Sequence, residues 1–223
     1  MFIRRLQIFA DFSFENSLIC VIGEICGLFP IMSIDDKAIL TGHGSKGDPC
    51  ERIIHPSIQK QERFMVDVIQ LGWEAGTVGE LDHRLLKAPH VKLRSYTEGP
   101  KGDVVYCVDL RINQPNTNFL SATEMHSLEH FLLAGFQKYM PGNFLSVGLM
   151  GCQTGFYLVL YNEGNAEKIC SVYECILIDI LNASEVPYAN IQQCGNYKNH
   201  SLEAAQNIAR GVLDAKSNWR RVV

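Results

Sequence analysis

The five residues His126-Ser127-Leu128-Glu129-His130 carry the densest chemistry in the chain. On a helix turning about 100° per residue, His126 and His130 stand about 40° apart, and Glu129 lies about 60° to the other side of His126. All three side chains therefore leave one face. Two imidazoles one turn apart can grip a single metal ion, and the neighbouring carboxylate is placed to move protons beside that ion rather than to ligate it. The same spacing arises by chance on amphipathic helices, so a third donor has to decide.

Two cysteines are candidates. Cys194 sits in the turn-like Gln192-Gln193-Cys194-Gly195-Asn196, from which a thiolate can reach across to a metal. Cys152 sits in Met150-Gly151-Cys152-Gln153-Thr154-Gly155, where small neighbours leave the sulfur accessible and let a ligand approach the backbone. The ordinary fate of a free cysteine is that of a small buried hydrophobe. That is the expectation for Cys107, Cys170 and Cys175, which fall within regular elements. A second chemistry competes for the five-residue motif, because His-x-x-Glu-His is also the signature of the inverzincin metalloproteases. There Glu129 would activate a water, and a downstream carboxylate such as Glu203 would be the third ligand.

The elements that must position these residues are legible in outline. Val104, Tyr106, Val108, Leu110 and Ile112 alternate with Val105, Cys107, Asp109 and Arg111, the period of a half-buried strand over 103–112 that turns Asp109 and Arg111 away from its apolar face. Gln114-Pro115-Asn116 breaks it. Ser121 followed by Glu124 is a capping box that opens a helix over 122–139, and Pro141-Gly142 stops that helix. Residues 144–149 and 156–161 read as strands around the Cys152 loop, and 167–181 and 202–215 as helices. Strands and helices without regular βαβ alternation give an α+β domain, an antiparallel sheet packed against helices.

The chain has 223 residues with a net charge of −4, 47% hydrophobic and 20% charged. It is too apolar for intrinsic disorder and too acidic to bind nucleic acid through bulk charge. Eight cysteines without a Cys-x-x-Cys pair or dense spacing point to a reducing compartment, hence the cytoplasm. The apolar stretch at 17–32 is interrupted by Glu24 and is too short for a spanning helix, so no membrane partner is expected. Residues 1–75 read as an N-terminal extension without a periodic core, and 76–223 as the single main domain.

His126-Ser-Leu-Glu-His130, Met150-Gly-Cys-Gln-Thr-Gly-Phe-Tyr157, Gln193-Cys-Gly195, Leu81-Asp-His83, Lys87-Ala-Pro89, Asp109-Leu-Arg111 and Gln114-Pro-Asn116 resemble blocks of the S-ribosylhomocysteine lyases, the LuxS family, in the same order and at similar spacing. The resemblance covers roughly residues 76 to 220. It implies a homodimeric α+β enzyme with its active site at the dimer interface. It further implies a small-molecule substrate, S-ribosylhomocysteine, cleaved to homocysteine and 4,5-dihydroxy-2,3-pentanedione, the precursor of autoinducer-2. Carried over by position, the metal ligands are His126, His130 and Cys194, the catalytic thiol is Cys152 and the second acid/base is Glu129. His83 and Arg111 match substrate-binding residues, and Fe(II), replaceable by zinc, is the implied metal. The chain departs from the family at Ser146-Val147-Gly148-Leu149, where Asp-Ile-Ser-Pro is usual, around Val78-Gly79, where Ser-Phe is usual, and at Asn113, where cysteine is usual. The first two regions line the family's substrate pocket, which leaves a catalytically inactive small-molecule-binding relative as a further alternative.

Overall fold

The computed structural model describes residues 66–223; the apolar stretch at 17–32 lies outside them. Four strands form one antiparallel sheet: β1 (His90–Glu98), β2 (Val104–Arg111), β3 (Phe144–Leu149) and β4 (Gly155–Tyr161), in the order β1-β2-β4-β3. Three α-helices accompany it among the described residues: α1 (Ala122–Tyr139), α2 (Ala166–Asn182) and α3 (Leu202–Asp214). This is the expected α+β architecture. Strand β1 is additional to the expectation, which had only motif blocks up to residue 89.

The strands alternate as pleated strands must, and cross-strand pairs keep like with like. Val91 faces Leu110, Leu93 faces Val108, and these continue to Phe156 and Leu158 on β4. All six are fully buried and share one core with Leu128, Leu132 and Phe136 of α1 and Ile169, Tyr173 and Ile176 of α2. Fully burying a side chain of this kind stabilises by about 1.5–3 kcal/mol. The core extends to Trp73, whose indole N–H donates to the Gly164 carbonyl at 2.7 Å, so residues just before 76 already pack with the domain.

The second face of the sheet departs from the sequence reading. Asp109 and Arg111 do turn away from the apolar face, but both are only 2% exposed. Lys92 and Tyr157 flank Asp109 across the sheet, and the segment around Gly79 to Leu86 folds over them, with the Lys92 ammonium donating to the Gly79 carbonyl at 2.6 Å. Among the cysteines expected to be buried, Cys107 on β2 is half-buried, and on α2 Cys170 is half-buried and Cys175 exposed, because the buried stripe of that helix runs through Ile169, Tyr173, Ile176 and Ile180.

Helix α1 starts as expected. The Ser121 hydroxyl accepts from the Glu124 N–H while the Glu124 carboxylate accepts from the Ser121 N–H at 2.7 Å. The helix approaches α2 closely at Gly135, where a Cβ would stand 2.5 Å from Ile176 Cγ1.

Candidate metal centre and thiol site

On α1 the i, i+4 spacing does what the periodicity implies. The His126 and His130 rings stand edge to face with centroids 4.7 Å apart. Each ring is steered from behind by a carbonyl: His126 Nδ1 lies 3.0 Å from the Asn199 oxygen and His130 Nδ1 lies 2.7 Å from the Pro187 oxygen. Ligating histidines are oriented in this way, their second ring nitrogen bonded to a carbonyl so that Nε2 presents its lone pair.

Cys194 is brought to them by a turn in which Asn190 Oδ1 accepts from the Gln192 and Gln193 N–H groups and the Asn190 carbonyl accepts from Cys194 N–H. Its Sγ stands 3.3 Å from His126 Nε2 and accepts from Asn196 N–H at 3.4 Å. The loop is fastened to α1. Thr123 Oγ1 donates to Asn199 Oδ1 at 2.5 Å, and Ser127 Oγ accepts from Ser201 N–H at 2.9 Å.

A fourth donor, absent from the sequence reading, joins them. His200 Nε2 lies 3.6 Å from Cys194 Sγ, and the ligand atoms of His126, His130, Cys194 and His200 all fall within 4.8 Å of one another. Burial and the neighbouring His126 and His130 push the His200 imidazole down to about 4, so at neutral pH it is uncharged. A tetrahedral ion held about 2.0–2.1 Å from imidazole nitrogen and about 2.3 Å from sulfur keeps those two donors about 3.5 Å apart, and the donor set therefore fits zinc or ferrous iron. Glu203 is exposed in the first turn of α3 and is not among the four donors, so the protease alternative loses its third ligand. Glu129, one position before His130, is half-buried on the same helix.

The thiol is held by different means. Cys152 is exposed in the β3–β4 loop, whose turn places Gln153 at φ 60° with Gln153 N–H bonded to the Met150 carbonyl. Its Sγ lies 3.0 Å from Thr154 Oγ1 and 3.7 Å from Arg111 Nη1. Arg111 donates to Thr154 Oγ1 at 2.5 Å and forks onto Asp109 at 2.6 and 3.2 Å. Burial alone would raise the Asp109 carboxyl, but the nearby His90 ring, with Nε2 3.6 Å away, and the bonds and charge of Arg111 outweigh it and hold the group below its ordinary value. Gly155, paired with Arg111 across the sheet, has no room for a Cβ, which would strike the Leu110 carbonyl oxygen.

His83 is exposed and lines, with Arg111, Lys92, Arg94, Asp109 and Tyr157, a cleft of about 20 Å³. Gly79, one of the departures from the family pattern, lines it too, whereas Ser146 and Leu149 lie exposed on strand β3. A larger cavity of about 290 Å³ between α1 and α2 contains none of the proposed site residues.

Comparison with known proteins bears on both groups. The family model for S-ribosylhomocysteinase (LuxS) matches residues 78–223. An S-ribosylhomocysteine lyase of Halobacillus halophilus is 45% identical over 142 residues, covering 64% of this chain and 93% of that protein. Lyases of the same name from Oceanobacillus iheyensis and Helicobacter pylori J99 are 44% and 42% identical, covering 64% of this chain and 92% and 93% of theirs.

Proposed function

Because the chain belongs to the S-ribosylhomocysteinase (LuxS) family, we propose that it is a carbon–sulfur lyase that cleaves S-ribosylhomocysteine to homocysteine and 4,5-dihydroxy-2,3-pentanedione. The observation that carries this is the meeting of His126, His130 and Cys194 at one point of a chain 45% identical to a lyase of that name.

The chemistry asks for this residue set. The substrate holds its sulfur at C5 of the ribose and its carbonyl at C1, and a thioether does not leave an unactivated chain. The carbonyl must travel to C3. Each move removes a proton from the carbon beside the carbonyl and returns one to the former carbonyl carbon. After two moves the C4 proton is acidic, and its removal expels homocysteine from C5.

The proton sites shift along the chain, so more than one base is needed. Cys152 and Glu129 are assigned these transfers, with Arg111 set against the Cys152 sulfur and Arg111 and His83 binding substrate. His126, His130 and Cys194 would hold a divalent ion, assigned as Fe(II) with zinc able to replace it. When bound, the ion supplies a Lewis acid that polarises a carbonyl oxygen and acidifies the neighbouring C–H.

The working unit is assigned as a homodimer with the site at its interface, a placement favoured by the exposed Leu145 and Leu149 on the edge strand β3. The five cysteines among the described residues are free thiols, which suits a reducing cytoplasm. Residues 1–75 are assigned no part in the chemistry, since every residue named above lies beyond them. The test is to incubate metal-loaded protein with S-ribosylhomocysteine and titrate free homocysteine with a thiol reagent. Stoichiometric thiol release is expected, and none would overturn the assignment in favour of an inactive binding relative.

A further inference from the structure

Cys152, assigned to proton transfer, is exposed, and rotation about χ1 could carry its sulfur through three staggered wells. Two groups hold it in one of them. Thr154 Oγ1 lies 3.0 Å from Cys152 Sγ, and Arg111 Nη1 lies 3.7 Å from it. The same Arg111 nitrogen donates to Thr154 Oγ1 at 2.5 Å, while Nε and Nη2 fork onto Asp109. A guanidinium only donates, so the bond from Arg111 occupies a lone pair of the hydroxyl oxygen. The one hydroxyl proton is left for the sulfur. Bond polarity then runs one way, from a buried carboxylate to an exposed thiol: Arg111 donates to Asp109 and to Thr154, and Thr154 donates to Cys152.

We propose that Thr154 is the positioning residue of the Cys152 base. Its hydroxyl aims the sulfur and treats it as an acceptor, the part a base plays when it takes a proton from carbon. Thr154 keeps its own proton throughout. Three features fit it to this task. The residue is 1% exposed, so its hydroxyl is shielded from water. Its backbone is anchored independently of that hydroxyl, because the Thr154 carbonyl accepts from the Ile112 and Asn113 N–H groups at 2.9 and 3.0 Å. A β-branched side chain is also stiff about χ1, which holds the hydroxyl in one direction. The proposal rests on the role assigned to Cys152 above.

Thr154→Val keeps the shape and removes the hydroxyl proton, whereas Thr154→Ser keeps the proton. In the metal-loaded full chain, kcat for homocysteine release is expected to fall about 10- to 100-fold in the valine variant, as for a lost hydrogen bond and a misplaced reacting group. KM should hold, since Arg111 stays forked on Asp109, and so should metal content. The serine variant should recover to within about threefold of the wild type, the remainder reflecting its freer χ1. Crystal structures without substrate should show one Cys152 conformer against residue 154 in the wild type and the serine variant, and a sulfur turned away or split in the valine variant. Thr154→Ala carries the same comparison if the valine variant does not fold. Wild-type kcat in the valine variant would overturn the proposal, and so would a serine variant as slow as valine, which would make packing of the methyl group the role of Thr154. The conformer is read without substrate. Absence of homocysteine release from the wild type would therefore remove the lyase reading, while an unmoved sulfur in the valine variant would remove this proposal alone.

Discussion

Helix α1 and the β2–β4 pair both present polar side chains for chemistry, and they hold them by opposite means. On α1 the donors are imidazoles fixed by backbone carbonyls, with a thiol brought across from a loop. On the sheet a guanidinium and a carboxylate, both 2% exposed, brace an exposed thiol. The first arrangement has its donors in place but is completed only by an added cation. The second is complete in the protein alone and relies on a buried charge pair, whose members each need the other. Loss of one residue should therefore remove a ligand-dependent property in the first region and folding stability in the second.

The sharpest test of that difference sets the two cysteines against each other. Cys194→Ala should lose its metal and all homocysteine release, whereas Cys152→Ala should lose release and keep its metal, read by metal analysis after dialysis. The reverse pattern would mean that the roles of the two thiols are exchanged.

The sheet side predicts a loss of stability. Asp109→Asn leaves Arg111 charged and uncompensated in a buried site, and breaking such a pair costs about 3–5 kcal/mol, measurable by urea unfolding. The pH profile follows from the same group. The Asp109 carboxyl is held below its ordinary value of 3.8, so its contribution is complete above about pH 4 and is lost as the pH falls through the lowered value. The wild type should lose stability in that acid range, and the Asn variant should show a flatter profile there. On the helix, Ser121→Ala removes a cap worth about 1 kcal/mol. That change should lower the melting temperature slightly and leave metal content unaltered, since His126 lies beyond the first turn.

What was legible in the sequence follows the same division. The face shared by His126, Glu129 and His130 follows from helical periodicity, and the start of α1 from Ser121 and Glu124, because both are local in the chain. Strand β1 escaped notice for a physical reason: the register shift between Leu93 and Ser95 interrupts its alternation. The burial of Asp109 and Arg111 depends on Lys92 and on the segment around Gly79, neither of which is encoded in the period of β2. His200 carries no local signal at all. It reaches the cluster through the Ser201–Ser127 and Asn199–Thr123 bonds, which join positions 74 and 76 residues apart.

The bond between α1 and the Cys194 loop has a topological consequence. His126 and Cys194 are separated by 68 residues, and the chain between them contains β3, β4, α2 and Cys152 itself. An ion shared by the two would be held by the folded chain and released by the unfolded one, so its binding free energy would add to the stability of every element between the two ligands. Stripping the cation would then loosen the thiol's own strands without breaking any contact they make, so demetallation should raise amide hydrogen exchange in β3 and β4 as well as around the histidines.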